Sequence, residues 1–150
     1  MRIAEPGTKF EGPEDSPGFL FWRLTNAWQR RQRAALAPLD LTHVQFVLLA
    51  GLWWLGRSGR EIAQVDLARH CGADAMMVSQ VLRSLEKRFL INRARSKTDS
   101  RARALSLSTS GAQLLVLALP AVEAADFDFF SKVTDRPGLL ALLRILAAAL

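Results

Sequence analysis

A helix stop and a helix start are separated by a single residue near the middle of this chain, and few folds can use that arrangement. Residues from Gln64 to about Cys71 read as a helix closed by Gly72, the residue that most readily takes the left-handed conformation at a helix end. Asp74 is a good cap for a second helix running from Ala75 to about Arg88. Two short helices joined by a tight turn containing glycine form the helix-turn-helix pattern. On the second helix Val78, Val81, Leu82 and Leu85 fall on one stripe that must face a core. The opposite face is thereby forced to present Met76, Met77, Ser79, Gln80, Arg83 and Lys87. Side chains of this kind read base edges and phosphates in a major groove, although the same set also suits a plain solvated face.

The segment that follows favours the first. Leu90 to Arg95 and Ala102 to Leu107 read as short strands, with Leu105 and Leu107 alternating against Ser106 and Ser108. The connection between them, Ser96 to Arg101, is polar and basic, so the pair is a hairpin whose tip suits the narrow, electronegative minor groove. Between Arg83 and Arg103 eight basic residues stand against Glu86 and Asp99 alone, so this stretch carries the whole formal net charge of +6. A footprint so local favours a specific docking surface for a polyanion over a generally sticky protein. Arg95, Lys97, Arg101 and Arg103 join the helix face as candidate DNA-binding residues. Asp99 is expected to orient a neighbouring arginine by a charge-assisted pair.

The flanks read as helices too. Residues 1–16, with Glu5, Pro6, Gly7, Glu11 and Pro13, lack the basic-then-apolar pattern of a signal peptide and are expected to form a mobile arm. Ser16 caps a helix with Pro17 in its first turn, running to about Ala37, whose Arg30, Arg31 and Arg33 suit either a solvated face or a phosphate backbone. Thr42 and Gln45 form a capping box for a mostly buried helix through Leu55, and Arg60 to Ile62 is a possible short strand. Ser108 starts a long helix to about Lys132 with Pro120 inside it, and Gly138 to Leu150 is a last apolar helix. At 150 residues, one domain spanning 17–150 is expected. Its terminal helices hold more apolar residues than a small winged domain can cover, which points to a two-fold interface. The oiliest runs are too short to span a bilayer, and the lone Cys71, without a disulfide partner, fits a reducing cytoplasm.

From Leu41 to Gly111 the chain resembles the MarR (multiple antibiotic resistance regulator) family. The resemblance rests on Leu41-Thr42-His43-Val44-Gln45, the helix-turn-helix, Leu85-Glu86 at the end of its second helix, Asp99-Ser100-Arg101, and Leu107-Ser108-Thr109-Ser110-Gly111. It implies a mainly α (α+β) fold, a winged helix-turn-helix over about 40–108, with dimerisation helices at about 17–37 and 109–150. It further implies a homodimeric, ligand-responsive repressor on a pseudo-palindromic operator, with Ser79 and Gln80 in the major groove and Arg101 in the minor groove. Two positions depart from the pattern: Met77 stands where the family offers a small hydroxyl, and Phe89 replaces a glycine, requiring a different backbone or a repacked hinge. These departures keep open an interaction protein that binds DNA through charge alone or docks a protein partner.

No catalytic constellation, metal-ligand spacing or cofactor motif is present: His43 and His70 stand on separate helices, and His70 beside Cys71 marks the end of an apolar helix, where an inert buried thiol is expected. Trp22, Trp28, Trp53 and Trp54 suit core and interface packing. The resemblance also implies a cleft for a small, often aromatic, effector, for which Trp22, Asn26, His43 and Phe46 are the candidate lining.

Overall fold

The computed structural model describes residues 7–148 and consists of six α-helices and one two-stranded antiparallel sheet. In chain order these are α1 (Pro17–Leu36), α2 (His43–Gly56), α3 (Gln64–Cys71), α4 (Ala75–Lys87), β1 (Ile91–Arg95), β2 (Arg103–Leu107), α5 (Thr109–Phe129) and α6 (Arg136–Ala147). The mainly helical winged fold read from the sequence is the one found. Of the expected arm, residues 1–6 lie outside the described residues, and residues 13–15 form a single 3-10 turn leading into α1.

Local chemistry sets most boundaries. Ser16 accepts the Phe19 amide at the start of α1, and Thr42 and Gln45 close their reciprocal capping box on α2. Gly72 takes φ 59° between α3 and α4, and Asp74 accepts the Met77 amide. The ends of the last two helices differ from expectation. Helix α5 stops at Phe129, three residues early, and α6 starts at Arg136 because Asp135 caps it by accepting the Gly138 amide. Pro120 lies inside α5 without ending it. The possible strand at Arg60 to Ile62 is reduced to a single bridge, Ile62 to Leu105.

One core joins the elements. Leu48, Leu49 and Leu52 of α2, Leu67 of α3, Val78, Leu82 and Leu85 of α4, and Leu115 and Ala118 of α5 are almost fully buried. Helix α1 packs along α5, and Leu36 at its end enters the same core. Gly111 is fixed by the start of α5: a Cβ there would overlap the Leu90 carbonyl, so the helix approaches the wing closely only because the residue has no side chain. Helix α6 has no buried residue in a single chain, and Leu140, Leu142, Leu143, Ile145 and Leu146 face outward. Among the described residues no single helix is long and apolar enough to cross a membrane.

Candidate nucleic-acid interface

Helix α4 is held to the body by hydrogen bonds that leave its outer face free. Gln45 is buried, and its Nε2 donates to Ser84 Oγ (3.1 Å) while its Oε1 accepts from the Thr42 amide and from Arg88 Nη1 (3.1 Å each). Arg88 Nη1 also donates to the Asp40 carbonyl (2.7 Å), so the last turn of α4 is tied to the first turn of α2. With Val78, Leu82 and Leu85 turned inward, Met76, Gln80, Arg83 and Lys87 are exposed and Met77 and Ser79 half-buried. The orienting part played by Gln45 is invisible locally, because its sequence signal is fully accounted for by the capping box.

The wing begins at Phe89, the position expected to need a different backbone or a repacked hinge. The structure keeps the left-handed backbone instead, with Phe89 at φ 56° and 79% exposed. Such a conformation costs a non-glycine residue about 1–2 kcal/mol and survives only where neighbours hold it. Here Ser108 Oγ donates to the Phe89 carbonyl (2.7 Å) and accepts the Gly111 amide (2.9 Å), while the Ser108 amide donates to the Leu90 carbonyl. The Ser108-x-x-Gly111 step thus clamps the hinge between α4, the wing and α5.

In the hairpin, Ile91 pairs with Leu107 and the ladder ends with Arg95 opposite Arg103. Partners across an antiparallel pair share a face, so these two guanidinium groups project side by side. Arg83, Lys87, Arg95, Lys97, Arg101 and Arg103 make no ion pair among the described residues, whereas Arg88 and Arg93 are paired with Asp40 (3.6 Å) and Glu86 (3.5 Å). Among the described residues Asp99 pairs with no arginine side chain, correcting the expectation: its Oδ1 accepts the Arg101 amide (2.9 Å), an Asx turn that shapes the loop. Sequence reasoning missed Glu61, whose carboxylate accepts from Ser96 Oγ (2.5 Å), the Lys97 amide (2.7 Å) and Thr98 Oγ1 (3.3 Å); the first two bonds hold its pKa below the ordinary value. A contact 35 residues away in sequence leaves no local trace.

The four candidate effector residues do not meet in one chain. Trp22 and Asn26 lie along the outer side of α1, where Asn26 Nδ2 donates to the Trp22 carbonyl (2.8 Å). His43 packs edge-on against Trp28 (5.0 Å between centroids), and burial lowers its pKa, opposed in part by Asp126. Phe46 lines a separate apolar hollow with Trp53, Trp54, His70, Cys71 and Leu119. Cys71 is half-buried, not fully so, and burial raises its pKa, which keeps it a thiol. Beside His43 lies a polar knot that the sequence did not reveal: Trp28 Nε1 (2.7 Å) and Gln32 Nε2 (2.6 Å) both donate to Asp126 Oδ1, joining α1 to α5.

A helix-turn-helix backed by a basic β-hairpin defines the class as a winged helix-turn-helix transcriptional regulator. The chain belongs to the MarR family, whose model matches residues 41–102. It is 42% identical, over 91% of its own length and 93% of the relative's, to the uncharacterized HTH-type transcriptional regulator YdcH of Bacillus subtilis. The transcriptional repressor CouR bound to a 23-mer DNA duplex superposes with a TM-score of 0.77 at 26% identity, covering 96% of this chain and 99% of that one. CouR from Rhodococcus jostii RHA1 bound to p-coumaroyl-CoA shares the fold, with a TM-score of 0.78 at 22% identity over 92% and 93% of the two chains.

Proposed function

We propose that the chain acts as a cytoplasmic homodimer that represses transcription by occupying a pseudo-palindromic operator. Helix α4 of each protomer enters one of two successive major grooves, about one helical turn apart, and each wing enters the flanking minor groove. The observation that carries this reading is the Arg95–Arg103 rung. Like charges directly opposite on a hairpin are destabilising, so two unpaired arginines kept there favour a polyanion as their partner. Ser79, Gln80 and Arg83 supply base contacts on α4, Met76 and Met77 apolar contact, Lys87 and Lys97 phosphate contacts, and Arg101 the minor-groove contact, with Asp99 shaping its loop. A small aromatic ligand releases the operator by favouring a dimer whose helices no longer match the groove spacing. Trp22, Asn26, His43 and Phe46 would then line its site only in combination with a second chain.

The test is selection of bound fragments from random duplex DNA at low and high salt, followed by Arg83→Ala and Arg101→Ala on the selected site. A pseudo-palindromic motif that survives high salt, with a loss of roughly 1–3 kcal/mol per variant, supports the reading. Motif-free binding that vanishes with salt overturns it in favour of a loose charge-driven binder.

A further inference from the structure

The wing loop is shaped from within but aimed from outside. Beyond the last rung, its own hydrogen bonds run from the Ser96 amide to the Ala102 carbonyl, from the Ala102 amide to the Asp99 carbonyl, and from the Arg101 amide to the Asp99 side chain. These fix the loop's internal form. They do not fix its direction relative to α4, since the hairpin beneath is only two strands wide and such ribbons twist and bend readily.

Among the described residues, the hydrogen bonds that tie the loop tip to the body all end on Glu61. Its Oε2 accepts from Ser96 Oγ and Thr98 Oγ1, and its Oε1 accepts the Lys97 amide. Ser96 Oγ in turn accepts the Thr98 and Asp99 amides, at 3.2 and 3.1 Å, so one carboxylate organises three successive residues of the loop. Glu61 itself is firmly based: the next residue, Ile62, is buried in the core, and its carbonyl accepts the Leu105 amide of β2 at 2.8 Å. Removing a carboxylate beside a phosphate backbone ought to strengthen binding on charge alone, so an acid strapped into the wing of a polyanion binder works against its own electrostatics.

We propose that Glu61 is a positioning residue that aims the wing, setting where Lys97 and Arg101 meet the DNA, so that it contributes specificity at the expense of general affinity. The inference rests on the DNA-binding reading above. Glu61 itself meets no base or phosphate. It acts through Ser96, the Lys97 amide and Thr98.

Charge and position predict opposite signs, which makes the test decisive. Operator and random-duplex affinities are measured as a function of salt for Glu61→Ala, Glu61→Gln and Ser96→Ala. Positioning predicts that Glu61→Ala loses about tenfold on the selected operator, the scale of a charge-assisted hydrogen-bond set, while random-duplex binding is unchanged or tighter. Ser96→Ala, which keeps the charge, is expected to lose operator affinity without any random-duplex gain. The double variant Glu61→Ala with Ser96→Ala is expected to lose less operator affinity than the two single losses together, because the bond between Ser96 and Glu61 is common to both. A uniform tightening on both DNAs in Glu61→Ala and Glu61→Gln would overturn the proposal and leave Glu61 as a mere charge. Amide relaxation of residues 97–101 in the DNA-free protein gives an independent arm. Increased loop motion in Glu61→Ala is expected, and unchanged motion also overturns the proposal, even if no operator is ever found.

Discussion

Phe89 is where a single residue departs furthest from what its backbone prefers. It is largely exposed, so little packing is lost on removal of the side chain, and its positive φ is the conformation glycine adopts freely. Phe89→Gly is therefore expected to stabilise the fold by about 0.5–1 kcal/mol in urea denaturation, the relieved strain being partly offset by the extra freedom of glycine in the unfolded chain. His43 carries the second expectation at this scale. It faces Trp28 and Arg33 on α1 and Asp126 on α5, and burial favours its neutral form. The unfolded chain, with His43 near 6.5, then binds a proton more readily than the fold does. Its contribution is constant above that value and falls as the pH drops through it toward the lower folded pKa. A plot of Tm against pH between about 5 and 8 should flatten in His43→Gln compared with the parent. An equal slope in both would move the acid sensitivity elsewhere.

Helix α4 is oriented by side chains outside itself. Gln45 connects the cap of α2 to Ser84 in α4 and to Arg88 just past its end, and all of these bonds converge on one buried amide. Gln45→Ala removes them together. The expected cost is roughly 2–3 kcal/mol by denaturation, more than a lone N-cap partner would account for. If the loss were only that of a cap, near 1 kcal/mol, the link to α4 would be contributing nothing. The hairpin shows the same division. Its strands were legible from alternating Leu105 and Leu107, but its hinge depends on Ser108 and its aim on Glu61, one 19 and the other 35 residues from their partners. Pattern reading sees neighbours at i+2, i+3 and i+4, and these partners lie far beyond that range.

In the whole molecule, a single chain leaves the apolar side chains of its terminal helices uncovered. Phe19, Phe21, Trp22 and Leu24 on α1 and Leu140, Leu142, Leu143, Ile145 and Leu146 on α6 remain exposed, and apolar side chains left open in such number suit an interface. Under the dimer proposal, Leu143→Glu places a charge in that interface and is expected to shift sedimentation at micromolar concentration toward a monomer and to weaken operator binding with it. A variant that stayed dimeric would assign the contact to α1 and α5. Most of the helices, the caps at Ser16, Thr42, Asp74 and Ser108, the turn at Gly72 and the concentration of charge between Arg83 and Arg103 are legible in the sequence, because each follows from side chains a few residues apart. Tertiary contacts fix that Phe89 keeps a glycine-like backbone, that Trp28 and Gln32 meet Asp126, and that Glu61 holds the wing. Each of these depends on packing elements distant along the chain, where the choice of partner follows from the geometry of the assembled core and not from local spacing.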